Sequence, residues 1–427
     1  MVWQSNVELL GYADLEGRSG FKLALQEVAG RFYLYVAALW EPGWSLLDVT
    51  EPASPRFLRW LDGPPNTWTI QVQVADRMMI TGLDEVPPGW SSSVGQAPAA
   101  CGFMIWDVSE PDRPELAGQW SSGAAGTHRN FYHGGRYVHV TTGLPGYDGY
   151  VYGIVDIADP RSPSLQGTWW YPGQYRAGGE EYSEDDLRRL TTGRPYPSDE
   201  EPQHSLSLHG GAYVLGNRAY CPWMRGGLVI LDTSNPALPE FISSLPVYPP
   251  LGSTIAVHSA VPLPGRNLVV INSEALREDC DEPTGFAGIV DVSNEKDPVL
   301  LSLFPQPRPP RESGISGFCA KGGRFGPHNQ HQNQGLSCLA PNGDLVYMTY
   351  FNAGLQIFDV RNPRDPHIVG YCIPDDPPTR RGPLPRTLVH QAEDVLVDRR
   401  GFIYMSEKNS GVYIMKFDDR PAIDRPS

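Results

Sequence analysis

No apolar run in this 427-residue chain is long enough to span a bilayer. Long amphipathic helical patterns are missing as well, and the one helix-like stretch, residues 184–190, lies inside a polar insertion. There is no Gly-x-Ser-x-Gly elbow and no glycine-rich loop leading into a helix, which sets aside the common serine-hydrolase and nucleotide-binding signatures. Positive charge is scarce: 34 Lys and Arg against 49 Asp and Glu leave a net charge of −15. That balance argues against nucleic acid or an anionic membrane as partner and reads as a solvated acidic exterior. Cysteine is scarce too, with six residues and no pair at metal-ligand spacing. Cys101, Cys221, Cys338 and Cys372 fall in or beside strand-like runs as buried thiols, whereas Cys280 and Cys319 fall in loops, where pairing is open to them. Residues 1–20 are polar and carry no secretory pattern, so the expected setting is reducing and cytoplasmic.

What the chain has instead is a phrase that returns. Its clearest copy is Leu228-Val229-Ile230-Leu231-Asp232-Thr233-Ser234-Asn235-Pro236; others occupy residues 44–52, 103–111, 152–160, 287–293 and 355–363, with a degraded copy at 412–418. The seven copies lie roughly 50–75 residues apart, longer than the common propeller repeats. The copies share one physical content, five of them with the closing Pro. Four or so β-branched or aromatic residues make a buried strand. The Asp is suited to accept backbone N–H groups of the following turn. The Pro ends the strand, because it has no N–H to give a ladder. A further strand follows, as in Leu116-Ala117-Gly118-Gln119-Trp120.

The two ends complement each other. Residues 7–12 look like the strand that follows each phrase, yet no phrase precedes them, and the last phrase has no such strand after it. This predicts an all-β fold, a seven-bladed β-propeller over residues 1–427 as one domain, closed by the N-terminal strand completing the last blade. The insert at about 171–203, and shorter ones at 275–284 and 305–326, read as lids or binding loops.

Counting back from the inner-strand turns places five histidines at about one level. His128 lies six residues before Gly134-Gly135, His204 six before Gly210-Gly211, and His258 seven before Gly265; His331 and His390 open the corresponding strands of blades six and seven. Inner strands line the axis, so these imidazoles are expected to converge on a divalent transition metal such as Fe, Zn, Cu or Mn. Glu274 and Glu393 are the carboxylates expected to orient them and to serve catalysis, with Glu180 and Glu181 weaker choices. His328 and His331 compete for one ligand position, the other facing substrate, and Gln71 lines the same pocket. His133, His139, His209 and His367 are read as structural.

The repeat phrase resembles the LVIVD repeat over nearly the whole chain. Three stretches, residues 127–129, 258–266 and 321–329, are similar to a subgroup of long LVIVD-repeat proteins. One departure is Lys416, which stands where the repeat has its Asp. The resemblance implies the propeller and no single activity. By analogy, His204, His258, His331 and His390 resemble the four-histidine iron site of carotenoid-cleaving oxygenases, and selenium-binding-protein-like thiol oxidases are likewise propellers with histidine-rich metal sites. The expected function is a metal-dependent enzyme acting on a small organic molecule, aromatic or lipophilic in character, with oxidative chemistry ahead of a hydrolase or lyase. The alternative is a non-catalytic propeller that holds a protein partner at its rim. Oligomeric state is not legible.

Overall fold

The computed structural model describes residues 2–87, 90, 99–191, 206–248, 251, 255–283 and 285–419. It contains seven four-stranded antiparallel sheets, the blades of a propeller. Blade three runs Thr127–Phe131, Tyr137–Thr142, Val151–Asp156 and Ser164–Trp169 from the axis outward. Blade seven is built from Ala392–Val397, Phe402–Glu407 and Gly411–Phe417, and its outer strand is the N-terminal Val7–Ala13, paired antiparallel to Gly411–Phe417. Blade six differs: Trp3–Ser5 adds to its outer edge against His367–Ile373. The inner position of that blade is a short irregular segment, joined by His328 N–H to the Thr349 carbonyl and His331 N–H to the Tyr347 carbonyl, both at 2.9 Å.

The repeat phrase explains itself at the turns. Asp48, Asp107, Asp156, Asp232, Asp291 and Asp359 each accept the backbone N–H two residues on, at 2.8–3.0 Å. These are Asx-turns, which close the strand without a ladder partner. The Pro that follows meets the preceding blade. A Cβ on Gly118 would lie 1.7 Å from the Pro160 carbonyl oxygen, one on Gly167 2.2 Å from that of Pro236, and one on Gly11 2.2 Å from that of Pro52. Glycine in the outer strand therefore admits the next blade's turn, and the Gly11 contact carries this packing from blade seven to blade one.

The core lies between blades. Tyr152 and Ile154 of blade three pack with Trp223, Val229 and Leu231 of blade four. Leu25 and Leu34 of blade one pack with Leu396, Tyr404 and Ile414 of blade seven. Each such fully buried side chain contributes about 1.5–3 kcal/mol of apolar transfer.

The insert after blade three forms a 3-10 turn, Arg176–Gly178, and an α-helix, Glu184–Thr191, before leaving the described residues. No helix among the described residues is long and apolar enough to cross a membrane. Cys280 and Cys319 form a disulfide. Such a bridge persists in oxidising surroundings, which runs against the reducing setting expected from the sequence.

Candidate metal centre

Toward the axis the apolar core gives way to polar and charged side chains that are nonetheless buried. The inner ladders place them. In blades two, three, five and seven, pairing of the first two strands slips at one place: between Trp68 and Gln71, Thr127 and Arg129, Ile255 and Ser259, and Ala392 and Val395. A bulge re-aims the residues it releases. Here these include His128, His258 and Glu393.

Glu274 ends the strand Leu268–Glu274 next to His258. Its Oε2 lies 3.4 Å from Nε2 of both His258 and His209. One donor atom from each of these three residues lies within 4.8 Å of the other two. Oε1 faces the other way, 3.0 Å from Arg324 Nη1 and 3.6 Å from His328 Nε2. Glu393 pairs with His328 Nδ1 at 3.2 Å and with the buried Lys408 at 2.6 Å. Phe351 floors this side, stacked on the His328 ring at 4.7 Å with the Arg324 guanidinium 4.2 Å from its centre. On the other side, His128 is 4.3 Å from the His209 ring. Its Nδ1 sits 2.9 Å from Asp84, a carboxylate that also accepts the Tyr150 hydroxyl, and its Nε2 has no hydrogen-bond partner among the described residues.

The electrostatics suit a cation. Burial pushes the pKa values of His258 and His128 well below the ordinary imidazole value and lowers that of His209, so all three are neutral donors at pH 7. Burial would raise Glu274, but the imidazoles of His328, His258 and His209 and the Arg324 guanidinium outweigh it and hold the carboxyl well below its usual range. Glu393 falls to about 2, its burial outweighed chiefly by Lys408 and His328. Asp84 rises to about 6 through burial.

Of the residues singled out in the sequence, the structure brings His128, His258, His328, Glu274 and Glu393 together. His204 lies outside the described residues. His331 is a correction: its Nδ1 accepts the Val397 N–H at 3.1 Å and its Nε2 donates to the Ala340 carbonyl at 2.8 Å, so both nitrogens serve the backbone between blades. His390 lies apart from this group: it precedes the strand Ala392–Val397 and sits edge-on to Tyr413 at 5.8 Å, fully buried, with neither ring nitrogen hydrogen-bonded among the described residues. Gln71 is buried, beside Asn130 across Gly82, with both amide atoms lacking a hydrogen-bond partner among the described residues. Glu180 caps its own loop, accepting from Trp170 and the Gly173 N–H.

A family model for the LVIVD repeat matches residues 212–246 and 339–373. The chain carries LVIVD repeats. The matched segments hold the four strands of blade four and the last three strands that blade six takes from this part of the chain. No curated protein matches the sequence. Among solved structures, this LVIVD-repeat propeller is similar to the β-propeller domain of Cps50 (Swd1) from Myceliophteria thermophila, with a TM-score of 0.54 and 12% identity over 96% of this chain and 99% of that one. It is also similar to the periplasmic gluconolactonase PpgL of Pseudomonas aeruginosa, with a TM-score of 0.51 and 10% identity over 96% of this chain and 94% of that one. At such identities the likeness is one of fold.

His209 is the residue of this LVIVD-repeat propeller that sequence reasoning missed. Gly210-Gly211 looks like the inner hairpin turn of blade four but is not. A Cβ at Gly210 would lie 1.6 Å from the His258 carbonyl oxygen, so the glycine is there for close approach, and the turn falls at Gly216, with φ 58°. Counted from Gly216, His209 stands seven residues back, as His258 does from Gly265. The same count from Gly401 in blade seven reaches Asp394, not His390.

Proposed function

We propose that this propeller is a metal-dependent enzyme acting on a small organic substrate. The observation that carries the reading is the convergence of His209, His258 and Glu274, each with one donor atom within 4.8 Å of those of the other two. Two imidazoles and one carboxylate, with further positions open, form the donor set of non-haem Fe(II) oxygenases, and the same set serves catalytic zinc. The donors fit an ion chemically: the imidazoles are neutral, the carboxylate is ionised, and Arg324 holds Oε1 so that Oε2 faces the imidazoles. A bound divalent ion supplies Lewis-acid or redox activation of water or dioxygen.

The chain's own residues do the rest. Glu393, held by Lys408, fixes the His328 ring, which forms the wall next to Glu274. Asp84 holds the proton of His128 on Nδ1 and leaves Nε2 as an acceptor beside His209, placed to take a proton from substrate. Oxidative chemistry is the first reading, with Fe(II) the ion of choice; Zn²⁺, Cu or Mn with hydrolytic or lyase chemistry is the reading it competes with. The Cys280–Cys319 bridge favours an oxidising compartment over a cytoplasmic one.

Elemental analysis of the purified chain tests the proposal. The expected result is a transition metal near one per chain, lost in His258→Ala/Glu274→Ala while the β-sheet circular dichroism is kept. Turnover of a small-molecule panel under air but not under nitrogen assigns oxidative chemistry; equal turnover assigns hydrolysis or elimination. A chain that takes up no metal when offered Fe(II), Zn²⁺, Cu²⁺ or Mn²⁺ returns the fold to the role of a non-catalytic binding propeller.

A further inference from the structure

The buried cations around the site come with carboxylates. Lys22 has Asp394 at 3.1 Å, Arg324 has Glu274 at 3.0 Å and Lys408 has Glu393 at 2.6 Å. Arg129 is buried like these, yet among the described residues no carboxylate oxygen lies within 4.0 Å of it. Its Nη1 donates to the His128 carbonyl at 3.2 Å and its Nη2 faces His258 Nε2 at 3.5 Å. The acids whose charge reaches it, Glu274, Asp394, Glu393 and Asp84, each have a nearer partner. A guanidinium carries five donors in a planar fork, and burying that charge without an anion is costly. Arg129 is thus a preformed receptor for an oxyanion, with its fork next to a proposed metal ligand.

An independent observation describes the rest of the ligand. An aromatic wall adjoins Arg129 and His128. The Phe21 ring lies 5.3 Å from the Arg129 guanidinium and 6.0 Å from the His328 ring. Trp68 packs on His128 at 5.6 Å and against Trp90 at 5.5 Å, and Trp90 in turn meets Trp40 at 5.2 Å. The three indoles are only partly buried, so the wall extends from the charged centre to the surface. Trp68 and Trp40 are held in place by N–H bonds to the Leu39 and Lys408 carbonyls.

We propose that the substrate is a small aromatic carboxylate. Its carboxylate pairs with the Arg129 fork and its ring lies on the Phe21 and Trp68 wall. The carbon next to the carboxylate then sits beside His258 and the metal centre. This rests on the metalloenzyme reading for its chemistry, although the binding site itself does not need the metal.

The test is calorimetric titration of the full chain, zinc-loaded and metal-free, with phenylacetate, its methyl ester, acetate and inorganic phosphate. Phenylacetate is expected to bind best; the ester should be weaker by about tenfold or more, since it loses the charge-assisted bidentate pair, and phosphate should be weaker because it has no ring to lie on the aromatic wall. Acetate, without a ring, is expected to be weaker as well. Arg129→Met should lose phenylacetate binding by about tenfold or more, and Arg129→Lys should fall between, because it keeps the charge and loses the fork. Arg129→Met should also melt within about 3 °C of the parent when no ligand is present, since it gives up a hydrogen bond to the His128 carbonyl but removes a buried charge that has no carboxylate partner among the described residues; a larger fall in melting temperature would assign Arg129 to structure and overturn the proposal. Equal binding of phenylacetate by Arg129→Met, a preference for phosphate, or no binding by chain that does hold zinc would also overturn it. Phenylacetate bound through Arg129 by chain that takes up no metal would uphold this site and sink the metalloenzyme reading alone.

Discussion

Arg324 Nη1 and Glu274 Oε1 lie 3.0 Å apart, and this pair decides which way the Glu274 carboxylate faces. The guanidinium is itself fixed, stacked over Phe351 and set by the Arg324 N–H donating to Gln391 Oε1 at 3.0 Å. Arg324→Met should release Glu274 without touching a proposed ligand. Zinc affinity is expected to fall 10–100-fold, the usual cost of losing a group that orients a ligand. Stability without metal should fall by about 3–5 kcal/mol, because a buried carboxylate loses its cation. Saturating zinc should restore part of that loss, as it binds only the folded chain. Chelator competition and urea unfolding with and without zinc measure both effects; an unchanged zinc affinity would show that the pair does not orient Glu274.

His209 and His331 should behave in opposite ways. His209 Nε2 faces Glu274 Oε2 at 3.4 Å, in a partly open position. His209→Ala is expected to abolish stoichiometric metal with a stability change under about 1 kcal/mol. His331 satisfies the Val397 N–H and the Ala340 carbonyl. His331→Ala leaves the buried Val397 N–H without its acceptor, while the Ala340 carbonyl keeps Asn333 Nδ2 at 3.0 Å, and should cost about 1–3 kcal/mol while the metal content stays. Metal per chain and urea midpoints for both variants decide the matter, and metal lost from a folded His331→Ala would return that residue to the ligand set.

The fold was legible because its cause is local. Six Asx-turns, six strand-ending phrases and a spare strand at the front are readable one phrase at a time, and Val7–Ala13 pairs with Gly411–Phe417 as their complementarity implied. The site was half legible because its cause is not local. Counting along strands found His128 and His258, but it took Gly210 for a turn when that glycine answers to a carbonyl of the next blade. No count within one strand shows that. Nor does it show the ladder slips at Thr127/Arg129 and Ala392/Val395, which release His128 and Glu393 toward the axis. Arg129 stood only as part of the stretch 127–129 and carried no role there, because an arginine is notable only once the lack of a carboxylate beside it among the described residues is seen in three dimensions.

The buried imidazoles should make the chain acid-labile above the pH at which ordinary exposed carboxylates titrate. Burial lowers His139, which also meets the Tyr152 hydroxyl at 2.6 Å, to about 3, and His331 to about 4. In the unfolded chain each takes its proton near the ordinary value of about 6.5. The folded pKa is the lower one, so the stability is whole above pH 6.5, declines as pH falls below it, and goes on declining to the folded values. At pH 5 each residue should have cost about 2 kcal/mol. Urea midpoints at pH 7 and pH 5 should differ accordingly, and His139→Gln should lose about 2 kcal/mol less than the parent across that interval. Equal losses would mean that His139 is not a source of the acid sensitivity.

The Cys280–Cys319 bridge should control the metal centre from a distance. It joins residues 39 apart, and the chain between them holds one whole strand pair of blade five. One end lies six residues after Glu274; the other lies in the helix Phe318–Lys321, just before Arg324 and His328. The Asp279 N–H donates to the Gly323 carbonyl at 2.8 Å, so the two segments already touch where the bridge holds them. Closing a loop of this length is worth about 3–4 kcal/mol in the unfolded-state picture. Reduction, or Cys280→Ser/Cys319→Ser, should therefore lower the melting temperature. It should also speed release of zinc to a chelator, because the segment that carries Arg324 and His328 is no longer pinned beside the strand that ends at Glu274. The two readouts separate two roles. A lower melting temperature with unchanged zinc release would make the bridge a staple for the rim loops alone, whereas faster release in an otherwise folded chain would tie the redox state of the surroundings to the metal.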